Sequence, residues 1–300
     1  MIFDMKKCTL CPRECKKDRT KETGYCGEGA EMRIAKIMLH KWEEPCISGS
    51  DSDRGSGAIF FSGCPMHCVY CQNSAISCGG IGELFDGERL EKEIFSLCEQ
   101  GAECIEFVTP THYTDKLAKL LEKIKPRLDV PTVWNSSGYE KVESVKMLDG
   151  LIDIYLPDFI YFDGEIAKKY SFAPDYREVA TAALKEMSRQ VGRPQFDSKG
   201  MLKKGLIVRH LVLPSHRGDS IEVLKLLERE VGHENMLLSL MSQYTPDFYV
   251  EAYKDGEYKN LCRRLTSFEY DSVSRLAQEL GFDGYFQAHS SADKKYTPDF

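Results

Sequence analysis

Residues 58–73 read AIFFSGCPMHCVYCQN, a short apolar and aromatic run that breaks into a loop holding three cysteines. The run has the composition of a strand, and five more like it follow. These are CIEFV (104–108), PTVWN (131–135), IDIYL (152–156), LIVRHLVL (206–213) and MLLSLM (236–241). Between them lie stretches with helical apolar spacing, among them GERLEKEIFSLCEQ, YTDKLAKLLEKIK and SIEVLKLLEREVG. Near-continuous apolar strands alternating with amphipathic helices imply parallel strands joined by right-handed crossovers. The pattern predicts an α/β fold, a partial (β/α)6 TIM-like barrel, with a doubly wound sheet as the alternative. In both architectures chemistry collects where strands end and loops begin.

The loop after the first run therefore carries the strongest functional signal. Cys64, Cys68 and Cys71 have the spacing C-x3-C-x2-C, which puts three thiolates around one corner of a cuboidal cluster. Thiolates suit iron–sulfur clusters. A closed metal site takes four protein ligands, whereas three leave one iron with an open position, the mark of a reactive centre. The alternatives are a structural zinc or an ordinary four-cysteine cluster completed by Cys78.

Composition narrows the setting. A length of 300 residues allows one large domain, or one domain plus a small appendage. The net charge of −7 argues against a nucleic-acid binder that works by neutralising phosphates. The opening MIFDMKKCTL lacks the apolar core of a signal peptide, and no run approaches membrane-spanning length. A cytoplasmic protein without a membrane partner is the expectation. In that reducing compartment the 12 cysteines read as metal ligands or core residues rather than disulfides.

A second cysteine set lies near the start. Cys8, Cys11, Cys15 and Cys26 can close a zinc site or hold an auxiliary iron–sulfur cluster. The segment has too few apolar residues to fold alone, so a metal would supply its folding free energy. The division expected is a Cys-rich metal-binding segment over 1–50 and a barrel over 51–300, with the polar ISGSDSDRGSG (47–57) as a linker. Lys16, Lys17, Arg19 and Lys21 read as a solvated face that could attract an acidic electron donor such as a flavodoxin or ferredoxin. MSRQVGRPQFDSKG (187–200) carries a long loop that reads as a candidate lid. The pentapeptide Y-x-P-D-F recurs at 155–159, 244–248 and 296–300 with unequal spacing, which marks turns rather than a structural repeat. Arg209, inside an apolar run, is costly unless paired, and His210 beside it points to the opposite face of a regular strand.

The cysteine loop, with the aromatic Tyr70 before its last cysteine, resembles the signature of the radical S-adenosylmethionine (SAM) superfamily. The resemblance implies a catalytic [4Fe-4S] cluster whose open iron takes SAM, with Tyr70 beside it. Reductive cleavage of the sulfonium would yield a 5′-deoxyadenosyl radical that abstracts hydrogen from a substrate. CTLCPRECKKDRTKETGYCGEG, HKWEEPCISG, FVTPTHY, VWNSSGYE, DIYLPDF, VRHLVLP and MSQYTP together resemble the PflX-like homologues of pyruvate formate-lyase activating enzyme. That kinship implies either a backbone glycine of a glycyl-radical protein as substrate, or a small molecule or peptide. A non-catalytic iron–sulfur or zinc protein for electron transfer is the reading from another class.

The same resemblance assigns roles. Thr109, Thr111 and His112 occupy the slot of a Gly-Gly-Glu turn that binds the SAM methionyl amine, although His112 can equally be a turn residue bonded to backbone. Asn135 takes the place of a polar residue on the SAM ribose, with Ser136 and Ser137 there or capping a helix. Asp158 matches an aspartate near SAM, but Ile160 stands where the pattern has Lys. Arg209 would meet the SAM carboxylate. Gln243 and Tyr244 would line the far side of the pocket or hold the turn before Pro246.

Overall fold

The computed structural model describes residues 4–49, 54–246 and 256–287. The chain enters through β1 (Met32–His40), which lies antiparallel to β2 (Gly55–Phe61) on one side and to β3 (Glu83–Phe85) on the other. From β2 onward each crossover moves one place in the same direction, to β4 (Ala102–Val108), β5 (Thr132–Ser136) and β6 (Ile154–Pro157). After the two-residue β7 (Gln195–Phe196) come β8 (Leu202–Leu211), β9 (Leu237–Met241) and β10 (Gly284–Phe286). Strands β2, β4, β5, β6, β8, β9 and β10 are all parallel.

The sheet order is β10-β9-β8-β6-β5-β4-β2-β1-β3, with β7 paired to β8 off this path, so the described strands form an open ten-stranded sheet. A doubly wound sheet needs a point where strand order reverses, and the parallel series has none. The partial-barrel reading therefore holds, with a seventh parallel strand, β10, beyond the six read from the sequence. Its strand is three residues long, too short to show an apolar pattern.

Helices α3 (Gly87–Glu99), α4 (Thr114–Ile124), α5 (Val142–Lys146), α6 (Gly164–Ser171), α7 (Tyr176–Val191), α8 (Arg217–Glu230) and α9 (Ser267–Glu279) cover the outside, while the four-residue α1 (Pro45–Ser48) packs Cys46 and Ile47 on Cys104, Val133 and Ile154, and α2 (Ser74–Ser77) packs Ile76 on Ala58, Phe60 and Val108. Their spacing explains their packing. Leu90, Ile94 and Leu97 of α3 are buried on one face, as are Leu117, Leu121 and Ile124 of α4. Asp86 caps α3 by accepting from the Arg89 N–H at 2.8 Å, and Thr266 with Glu269 forms a capping box on α9.

Two expectations change. Residues 187–200 are no lid, because Gln195 and Phe196 pair antiparallel with Lys204 and Leu202 at the amino end of β8, opposite the cysteine loop. Met32–His40, which lacks a clear apolar alternation, joins the main sheet through its antiparallel ladder to β2. Of the Y-x-P-D-F copies, 155–159 ends β6 as a turn should, while 296–300 and the end of 244–248 lie outside the described residues.

Candidate active site

The cysteine loop leaves β2 at Gly63, whose φ of +82° suits glycine. Backbone bonds then pin it from three sides. The Gly63 N–H donates to Ile76 at 2.8 Å, Cys64 to Cys26 at 3.1 Å and Val69 to Tyr170 at 2.8 Å. Arg13 adds a clamp from the amino-terminal segment, donating through Nε to the Pro65 carbonyl at 2.7 Å and through a guanidinium nitrogen to the Ser171 carbonyl at 2.9 Å. The three thiols are thus held by the fold around them.

Ser171, at the end of α6, donates its hydroxyl to the Cys68 sulfur at 3.0 Å. Behind it the Tyr161 hydroxyl bonds Ser171 at 2.7 Å and also meets the hydroxyl of Tyr70. Burial pushes the Cys64 thiol up to about 12, and the Cys71 thiolate adds to it. Cys68 and Cys71 are raised too, chiefly by burial. Half-buried cysteines whose sulfurs repel one another as thiolates are a donor set that iron would stabilise. The residues present therefore fit a [4Fe-4S] cluster. Cys78 is exposed and does not line the cavity that Cys68 and Cys71 line.

That cavity, of about 490 Å³, is the inside of the curled sheet. Phe60 of β2, Val108 of β4, Asn135 of β5, Arg209 of β8 and Ser239 of β9 all reach it, with Asp158 just beyond β6. The Arg209 guanidinium donates to Asp158 at 2.8 Å and to the Asn135 side-chain oxygen at 2.6 Å, and lies 3.5 Å from Glu43. Asn135 in turn donates to Glu106 at 2.7 Å. The charge that stood out in the sequence is paired within the protein. Gln243 lines the cavity and Ile160 is part of the same wall.

The turn after β4 behaves differently. Thr109, Thr111 and His112 do not line the cavity. Thr111 donates its hydroxyl to Glu140 at 2.8 Å, and His112 Nε2 meets the Ser62 carbonyl at 2.8 Å. His112 matches the backbone-bonded alternative, and burial lowers its pKa to about 3. Tyr244 is spent on the Leu261 carbonyl at 2.6 Å, and His210 is buried against Phe159 on the outer side.

At the amino terminus Cys8, Cys11 and Cys26 are buried and Cys15 is half-buried. Burial pushes the Cys11 thiol up to about 12, and Cys26, Cys8 and Cys15 add to it as neighbouring thiolates. Arg19 needs correcting. It is no part of a solvated face but is 2% exposed, donating to the carbonyls of His112 at 2.6 Å and Gly29 at 2.5 Å beside the Cys8 sulfur. Lys16, Lys17 and Lys21 remain exposed. Among the described residues no three His, Cys, Asp or Glu side chains are drawn together as for a single metal ion.

Sequence reasoning passed over Glu43, Glu44, Glu106, Tyr161 and Ser171. Glu106 carries the same signal as Arg209, a charge inside an apolar run, and is fully buried.

Residues 54–168 match the 4Fe-4S single cluster domain family. That span holds all three cysteines of the loop. Along 287 residues the chain is 28% identical to an uncharacterized protein of Methanocaldococcus jannaschii, over 93% of this chain and 76% of that one. Among solved structures, Streptococcus suis SuiB bound to precursor peptide SuiA superposes with a TM-score of 0.47 and 13% identity, over 72% of this chain and 43% of SuiB. SuiB bound to S-adenosylmethionine gives 0.47 and 12%, over 75% and 45%. The chain spans less than half the length of SuiB. Among the described residues no helix is long and apolar enough to cross a membrane.

Proposed function

We propose that the protein is a cytoplasmic radical SAM enzyme, close to the PflX-like homologues of pyruvate formate-lyase activating enzyme. The observation that carries this reading is the three-cysteine loop, set at the carboxyl end of β2 with Cys68 and Cys71 on the wall of a chamber that residues of β2, β4, β5, β8 and β9 also line. The match of residues 54–168 to a single-cluster 4Fe-4S domain supports it. Bound together, cluster and SAM supply a 5′-deoxyadenosyl radical for hydrogen abstraction.

The chain's own residues do the rest. Cys64, Cys68 and Cys71 would hold the cluster, and Ser171 orients and polarises the Cys68 sulfur. Asn135, Asp158 and Arg209 form one bonded array in the same cavity that would position the polar parts of SAM. Aromatic and aliphatic walls exclude water from the reacting carbon. The substrate that fits the kinship of motifs is a backbone glycine of a glycyl-radical protein, with a small molecule or peptide as the competing choice. The four amino-terminal cysteines would hold a zinc ion or an auxiliary cluster, and the exposed Lys16, Lys17 and Lys21 would receive an acidic flavodoxin or ferredoxin.

Anaerobic reconstitution with iron and sulfide, followed by dithionite and SAM, tests the reading. The expected result is 5′-deoxyadenosine together with an EPR signal that SAM perturbs. A signal indifferent to SAM and no 5′-deoxyadenosine would leave an electron-transfer protein. Metal analysis of the same sample separates zinc from additional iron.

A further inference from the structure

The floor of the cavity is built from a segment that no cofactor role uses. His40 pairs with Ser56 near the amino end of β2, so the residues that follow enter the curl from the end opposite the cysteine loop. There Glu43 and Glu44 line the cavity, with their carboxyls against one another. Glu44 is 8% exposed, and its Oε2 has no hydrogen-bond partner among the described residues.

The local charge does not balance. Asp158, Glu43 and Glu44 line the cavity and Glu106 stands behind Asn135, against the single guanidinium of Arg209. Arg209 is already committed to Asp158 and Asn135 and reaches Glu43 only at 3.5 Å. His40 adds no positive charge, since burial and the nearby Arg209 lower its pKa to about 4. Burial, and then the neighbouring Glu106, raise the Glu43 carboxyl well above its ordinary range. Paired buried carboxyls with an unmet oxygen are costly to folding, and among the described residues no donor meets that Glu44 oxygen. Aromatic side chains of Trp42, Phe60, Tyr285 and Phe286 also line the cavity, and aromatic rings can add to the attraction of a cation.

We propose that Glu43 and Glu44 bind a protonated amine carried by the substrate, which sits on the cavity floor and points its reacting carbon back toward Cys68 and Cys71. The proposal rests on the radical SAM reading for the chamber being the substrate site, and it names the substrate class as a primary amine or a lysine-bearing peptide.

The test is calorimetric titration of the reconstituted full chain, in the presence of SAM, with Nα-acetyl-lysine methylamide and with its neutral Nε-acetylated counterpart. The amine is expected to bind saturably and the neutral ligand not at all. Glu44→Gln should weaken the amine roughly tenfold to a hundredfold, leave SAM affinity unchanged and raise the melting temperature, since it relieves a buried repulsion. A purely structural Glu44 would lower the melting temperature on substitution. Equal binding of both ligands, no binding of the amine, or a loss of SAM affinity in Glu44→Gln each overturns the proposal. Failure of SAM cleavage in the wild type with amine binding intact would instead refute the radical SAM reading alone.

Discussion

The backbone N–H of Cys64 donates to the carbonyl of Cys26 at 3.1 Å, so the last cysteine of the amino-terminal set and the first of the three-cysteine loop share one hydrogen bond. Gly63 makes this contact feasible. A Cβ there would lie 2.5 Å from the Cys26 oxygen and 2.7 Å from Glu28 Cγ, at a φ of +82°. Gly63→Ala is expected to cost about 1–3 kcal/mol from backbone strain alone, and to push the two segments apart. Iron content per chain after reconstitution should fall together with the denaturation midpoint. An alanine variant with full iron content would mean that the two segments assemble independently.

Ser171 donates its hydroxyl to the Cys68 sulfur at 3.0 Å. A donor to a ligating sulfur draws off negative charge and favours the reduced cluster. Ser171→Ala should therefore lower the reduction potential, read by EPR-monitored redox titration. Tyr161→Phe removes only the hydroxyl behind Ser171 and should move the potential less, in the same direction. Unchanged potentials in both would show that the serine serves packing alone.

Much of this was legible beforehand, for identifiable reasons. Strands of a parallel sheet are buried on both faces, so β4 and β8 announce themselves as apolar runs, and a charge within one stands out, as Arg209 did. β1 was hidden because most of its residues are only half-buried, and β3, β7 and β10 are two or three residues long. Glu43 and Glu44 were illegible as site residues because they sit in a polar loop far along the chain from their neighbours. Only the antiparallel ladder of β1 carries them beneath the cavity. Thr111 and His112 were placed by motif position, which says nothing of the Glu140 and Ser62 groups that claim their side chains.

His210 gives a pH dependence with a definite sign. Burial lowers its pKa from 6.5 to about 4, and its Nε2 has no partner among the described residues. The unfolded chain takes up a proton below pH 6.5 while the folded one resists until about 4, so stability is complete above that window and declines through it. The loss attributable to this residue is about 3 kcal/mol at the lower end. Subtracting the pH profile of His210→Asn from that of the wild type isolates it, since raised carboxyls such as Glu106 act in the opposite sense and cancel. A flat difference between the two denaturation profiles would show that His210 takes up its proton as readily in the folded chain as in the unfolded one.

Division of labour between the two cysteine sets is decided by paired variants. Cys68 lines the cavity and touches the bonded array of Ser171, Tyr161 and Tyr70, whereas Cys11 is buried among Cys8, Cys15 and Cys26 at the surface of the barrel. Cys68→Ala is expected to abolish 5′-deoxyadenosine formation while the chain stays folded, because the barrel core does not depend on one loop sulfur. Cys11→Ala should instead lower solubility and total metal, since the segment around it has little apolar surface to hold it without a metal. Turnover per remaining loop cluster should then survive in Cys11→Ala. Circular dichroism, metal analysis and product formation, measured on the same preparations, separate these outcomes. If both variants lose only solubility, the three-cysteine loop is structural and the amino-terminal set has no separate role.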